Sequence, residues 1–272
     1  MFIKQCSGAV PIAVLIAFAA TPLWAQDSFD DGQWRASVYG WLPDLEARTA
    51  FPSGAGGPTL NVDAATLVDN LDFTFQAGLQ YRRGKWGGFT DLIYLDEGAA
   101  KTGVRDISLG RADLPSGVTY DLGYDMKSWI WSLAGTYSLA SSEANTADFL
   151  FGARMLDIDQ TLTWTAQGNV GAIEPPARNG SSEVGLTNWD AIVGVRGLAR
   201  LGAERRWMLP WYLDVGTGDS DLTVQALAGI GYAFGWGDVL AAWRYLDYDM
   251  PGDSALTDLN FNGPMVGVAF DW

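Results

Sequence analysis

Any chemistry in this chain has to come from carboxylates and arginines. It contains no histidine, and its one cysteine, Cys6, lies near the N-terminus. Without histidine, Ser–His and Cys–His nucleophile activation and His-ligated metal centres are excluded. What remains is a set of charges on alternating segments: Asp91, Arg154, Asp190, Arg196, Asp214, Asp238 and Arg244, accompanied by Gln76 and Gln80. Their signs are mixed, not segregated. In a confined space a guanidinium pairs with a carboxylate through two parallel hydrogen bonds, which points to a salt-bridged, partly sealed interior; a narrow polar passage is the alternative. Two hexamers echo each other, Arg154-Met155-Leu156-Asp157-Ile158-Asp159 and Arg244-Tyr245-Leu246-Asp247-Tyr248-Asp249, each setting an inward arginine below an acidic rim. Asp247, Asp249 and Asp253 have the oxygen chemistry for Ca²⁺ or Mg²⁺. They lack a cation-loop signature, and solvated rim charge is the simpler account. No catalytic residue, resident metal or cofactor is expected.

Strands must position these charges. In the last nine residues, Pro264, Val266, Val268, Phe270 and Trp272 fall on one parity and Met265, Gly267, Ala269 and Asp271 on the other. Side chains alternate faces along a strand, so one face is apolar up to the final residue. A lipid-embedded barrel needs such a face in every strand. Period-two alternation marks about ten strands, near 33–51, 72–82, 86–96, 119–139, 147–164, 184–201, 206–215, 222–234, 238–248 and 257–272. The expected fold is all-β, a transmembrane antiparallel β-barrel of about ten strands, with eight or twelve open if a hairpin is split or merged. Eight-stranded barrels are filled by side chains and sixteen-stranded ones hold water, so ten lies near the filled end.

The connections are asymmetric. Segments 51–71, 97–118, 165–183, 216–220 and 249–256 would face outward and are mostly long; those at 83–85, 140–146, 202–205 and 235–237 are short, as periplasmic turns are. Residues 63–71 read as a short helix in the first outer loop, which Asp63 could cap. Trp34, Trp86, Trp207 and Trp272 fall near the periplasmic strand ends, where an apolar ring and a polar N–H are both satisfied.

Residues 1–25 read as a secretory signal peptide: Lys4, an apolar stretch over 9–20, and a cleavage site after Ala25. Residues 26–272 then form one domain, the barrel. Cleavage removes one lysine and no acid, so the net charge of −15 becomes −16. That balance disfavours nucleic acid and anionic lipid as partners, since both need clustered lysine and arginine.

In these features the chain resembles Gram-negative outer-membrane β-barrel proteins, over essentially all of residues 26–272 and through pattern more than motif. In that superfamily a terminal aromatic with alternating apolar positions is the recognition signal for the barrel-assembly machinery. The resemblance implies that Val266, Val268, Phe270 and Trp272 carry that signal, with Trp272 where phenylalanine is usual. It implies a cell outer-membrane location, with outer-membrane lipids and lipopolysaccharide as surroundings. Rim acids could meet lipopolysaccharide phosphates through divalent ions. The enzyme barrels of the superfamily mostly use histidine, so likeness to them fails at the catalytic centre. In character the chain is closer to the small OmpA/OmpX-like structural barrels. The expected role is non-enzymatic, structural or surface-exposed and adhesive; the alternative is a narrow, porin-like channel for small solutes.

Overall fold

The computed structural model describes residues 32–49, 59–62, 71–99, 118–168, 178–252 and 256–272. The expected leader 1–25 lies outside these residues. So does the expected helix at 63–71, apart from Leu71, which opens a strand.

The strands are β1 (Gln33–Trp41), β2 (Asp44–Thr49), β3 (Thr59–Val62), β4 (Leu71–Arg83), β5 (Trp86–Ala99), β6 (Val118–Ser141), β7 (Asn145–Gly168), β8 (Arg178–Leu201), β9 (Trp207–Gly218), β10 (Leu222–Ala233), β11 (Asp238–Asp249) and β12 (Leu256–Asp271). From β4 to β12 each strand pairs antiparallel with the next, and β1 pairs with both β4 and β12. Ten strands therefore close a barrel. The closing register runs from Arg35 opposite Asp271 to Trp41 opposite Met265, and Trp34 and Trp272 exchange backbone hydrogen bonds at 2.9 and 3.0 Å. Closure leaves no sheet edge in the lipid, where an unpaired N–H or C=O has no water to turn to.

The first strand differs from expectation. Its path is interrupted at Leu42–Pro43, because proline has no N–H to give the ladder. β2, still within the expected first strand, resumes pairing with β12 beyond the break and forms a hairpin with β3, which falls in the 51–71 segment expected to be loop. β1 stays paired with β4 only as far as Val38 opposite Ala77. Beyond that point the Gln76 amide takes over: its Oε1 accepts from the Trp41 N–H at 2.7 Å and its Nε2 donates to the Trp41 carbonyl at 3.1 Å.

The short turns gather at one end with both barrel termini. One of them is Gly84–Lys85, where Gly84 has φ 59°, a conformation that costs glycine nothing and other residues a steric clash. β6, β7 and β8 have 24 residues each. A tilted membrane-spanning strand needs only about 9–11, so these three rise well past the bilayer at the other end.

Candidate functional site

The inward face of the strands builds the site in three levels. Nearest the termini is a vestibule of about 400 Å³. At its mouth Arg35 holds Asp238 at 2.7 Å and Asp271 at 2.6 Å, and Arg82 pairs with Asp148. Deeper in, Arg196 donates to Gln80, and its guanidinium lies 4.9 Å from the centre of the Phe89 ring.

The middle level is a charged layer. Asp91 accepts from the Tyr39 hydroxyl at 2.6 Å and from Arg244 Nη2 at 2.9 Å; Arg244 also bonds the Gln225 side-chain oxygen at 2.9 Å and lies 4.8 Å from the Trp41 ring centre. Arg154, fully buried, pairs with Asp214 and donates to Ser132 Oγ at 3.3 Å and Thr223 Oγ1 at 3.2 Å; the Tyr212 hydroxyl also bonds Asp214. Asp190 receives the Asn188 amide at 2.8 Å and the Ser220 N–H and hydroxyl at 2.9 and 2.8 Å. The seven charged residues singled out from the sequence all face inward but do not join into one network. Asp91 meets Arg244 and Arg154 meets Asp214, while Asp238 bonds Arg35, Arg196 bonds Gln80, and Asp190 bonds neutral side chains. Each carboxylate accepts from a guanidinium, phenol, amide or hydroxyl.

The third level is apolar, which the polar-interior expectation did not include. Trp41, Leu45, Ile93, Leu95, Met126, Ile130, Leu156, Ile158, Leu246, Tyr248, Leu259 and Phe261 fill the lumen in one cluster with at most 3% exposure. The physical reason is a switch of surroundings along each strand. On β7 the outward residues run Phe149, Phe151, Ala153, Met155 and then Asp157 and Asp159, while the inward ones run Asp148, Leu150, Gly152, Arg154 and then Leu156 and Ile158. β11 does the same: outward Trp243 and Tyr245 give way to Asp247 and Asp249 as inward Arg244 gives way to Leu246 and Tyr248. Below the switch the outside is greasy and the inside polar; above it the strand has a water-facing exterior and a dry core. Aromatic rings collar both borders. Tyr94 lies against Trp129 and Trp131 against Trp189 at the switch; Trp34–Tyr81, Trp86–Tyr137, Trp207–Tyr232 and Trp236–Phe270 pairs ring the short-turn end. The apolar band between two aromatic collars fits a bilayer and nothing else in water. This is a membrane-spanning β-barrel.

No protein-family model matches the chain, and no curated protein sequence does. Solved outer-membrane barrels resemble it in shape. The outer membrane protease OmpT of Escherichia coli is 11% identical with a TM-score of 0.48, over 92% of this chain and 99% of that one. The attachment invasion locus protein Ail of Yersinia pestis is 10% identical with a TM-score of 0.32, over 89% and 99%. Neisserial surface protein A is 11% identical with a TM-score of 0.32, over 88% and 96%.

Several residues that shape this barrel's interior escaped the sequence reading: Arg35, Tyr39, Arg82, Asp148, Tyr212 and Gln225 in the polar levels, and the whole apolar cluster. Parity is the signal that reaches them. Trp41 shares the parity of Arg35 and Tyr39, Ile93 that of Asp91, and Leu156 that of Arg154. Among the described residues no three metal-ligating side chains gather. Asp253 lies outside them, and Asp247 accepts from the Asn260 amide at 2.8 Å.

Proposed function

We propose that this barrel is non-enzymatic, that its lumen is closed, and that it serves the outer membrane as a structural, surface-exposed and adhesive protein. One observation carries the reading. The apolar cluster around Trp41, Leu156, Leu246 and Phe261 crosses the lumen directly above the Arg244–Asp91 and Arg154–Asp214 pairs, so an ion would have to displace a dry core and then break buried ion pairs. The lack of histidine supports the absence of catalysis. The surface role draws support from β6–β8, whose parts above the collar turn Asp125, Asp157, Asp159 and Glu183 to water. Val266, Val268, Phe270 and Trp272, on the lipid side of the closing strand, serve as the assembly signal in this reading.

Planar-bilayer recording tests the closed lumen. The purified barrel is expected to give no unitary currents, and steady steps from the unaltered protein would favour the second reading, a narrow channel for small solutes. The vestibule, which hollows out the short-turn half of the lumen, is the feature that speaks for that alternative.

A further inference from the structure

We propose that the vestibule is a binding site for a small organic anion with an apolar body, and that Arg196 receives its acid group. The site lies below the seal and does not depend on what the outer surface does.

Arg196 is treated differently from its neighbours. Arg35, Arg82, Arg154 and Arg244 each hold a carboxylate. Directly opposite Arg196 in the β7–β8 register stands Asp148, the obvious partner, yet Asp148 turns to Arg82. Among the described residues no carboxylate comes within ion-pair distance of Arg196. What it has is the neutral oxygen of Gln80 and the face of Phe89. A guanidinium carries five N–H donors in a rigid plane. Gln80 takes one of them and Phe89 fixes the plane, so a charged fork is oriented into the cavity with no carboxylate bonded to it, Asp148 acting on it only from a distance. Carboxylates, sulfonates and phosphates match such a fork in bidentate fashion.

The rest of the wall sets the other half of the ligand. Phe89, Leu227, Leu240 and Met265 line the same space. In a lumen this polar, their apolar side chains give a ligand body something to displace water from. The volume of about 400 Å³ lies in the range of small-molecule sites, roughly 300–1,000 Å³. The Arg244–Asp91–Tyr39 cluster is its roof, so the chamber is blind. Its mouth, framed by Arg35 and Asp271, is at the end that carries the termini, and the ligand enters from the periplasmic water.

The test uses the full folded barrel in nanodiscs, with calorimetric titration of 4-phenylbutyrate and of its neutral counterpart 4-phenylbutan-1-ol. The alcohol enters lipid at least as readily, so it reports uptake by the disc. The acid is expected to bind saturably at one site, at least about tenfold more tightly than the alcohol, the size expected of a charge-assisted hydrogen-bond pair. Arg196→Gln should weaken the acid by about tenfold or more and leave the alcohol unchanged. Arg196→Lys, which keeps the charge and loses the fork, should fall between. Leu240→Trp fills the chamber with Arg196 intact and should abolish saturable binding of the acid. Folding of each variant is read from its heat-modifiable gel migration; should Arg196→Gln not fold, Arg196→Lys and Leu240→Trp decide. Three results overturn the proposal: no saturable binding of the acid, equal affinity for acid and alcohol, or acid binding that is undiminished in Leu240→Trp or in Arg196→Gln and Arg196→Lys.

Discussion

Arg154 reaches past Asp190, the residue directly opposite it on the neighbouring strand, and pairs with Asp214 one strand farther on. Asp190 is already committed to Ser220 and Asn188. On β8 the position beside Asp214 is Gly194, where a Cβ would come within 2.7 Å of the Asp214 Cβ. A missing side chain there leaves the Asp214 carboxylate room to stand in the lumen. Arg196 and Asp148, also opposed in register and also not paired, repeat the theme nearer the vestibule mouth. Arg154–Asp214, Arg82–Asp148, Arg35–Asp238 and Arg244–Asp91 all skip at least one strand and tie the wall across its curve, whereas Arg35–Asp271 joins directly opposed neighbours.

That relationship predicts an asymmetry. Arg154→Met or Asp214→Asn leaves one buried charge without its partner and should cost about 3–5 kcal/mol. The double variant Arg154→Met/Asp214→Leu removes both and should recover most of it. Asp190→Asn, which keeps one acceptor oxygen and loses no ion pair, should cost less, about 1–2 kcal/mol. Urea unfolding in lipid vesicles, followed by tryptophan fluorescence, measures all four; equal losses for Asp190→Asn and Asp214→Asn would contradict the pairing.

Gln76 supports a second prediction. Its amide closes the β1–β4 seam at Trp41, where the ladder has ended. Gln76→Leu fits the same space but strands the Trp41 N–H and C=O, at about 1–3 kcal/mol for each unsatisfied group. Hydrogen exchange should speed up at the Trp41 amide well beyond any change at Ser37, whose amide faces β4 opposite Gly78 inside the intact seam. Unchanged protection at Trp41 would mean that the seam does not rely on Gln76.

The barrel was readable because lipid enforces one rule on every strand. Trp207, Leu209, Trp211, Leu213 and Val215 must all face outward, and so they announce β9 by parity alone. The inward side was legible only where it carried charge, as at Arg154, Asp214 and Arg244. Leu156 and Ile158 share that side but look like membrane residues, because an isolated apolar side chain does not say whether lipid or a dry core surrounds it. The deciding signal is the exchange of polarity between the two parities at Met155 and Asp157, which needs both faces read together. The β2–β3 hairpin was hidden for a different reason: its pairing depends on Pro43 breaking the first strand, and the residues that connect it follow no period. The partners of Asp148 and Asp190 were out of reach as well, since they are set by competition across three strands.

The position of that exchange is itself testable. Val193 faces outward within the band between the collars, 49% exposed, with Trp189 at the border above it. Val193→Arg should cost about 2–4 kcal/mol in vesicles, as an arginine near the bilayer midplane does. Asp159→Arg faces outward on β7 beyond the border and should change stability by no more than about 0.5 kcal/mol. If both cost alike, the collar of Trp129, Trp131 and Trp189 does not mark the edge of the hydrocarbon.

The seal above the charged layer gives the last prediction. Trp41 and Phe261 pack at 6.0 Å between ring centres, and Trp41 also donates its indole N–H to the Gly263 carbonyl at 3.2 Å. The Trp41 ring stands over Arg244 with Phe261 packed against it, so Trp41 is where the apolar cluster meets the polar half of the lumen. Trp41→Ala and Phe261→Ala should each cost about 3–5 kcal/mol, the usual penalty for deleting a buried ring. Together they leave a void that touches Arg244, Gln225 and Asp91, and a void with several polar partners takes up water where a purely apolar one stays dry. The double variant should therefore show brief conductance steps in a planar bilayer where the unaltered barrel is silent. Trp211→Ala/Phe151→Ala, which removes the same two kinds of ring from the lipid side, should stay silent and so separates loss of the seal from general loosening. Silence from a double variant that still migrates as a folded barrel would place the barrier in the charged layer, with Arg244–Asp91 and Arg154–Asp214 sufficient on their own.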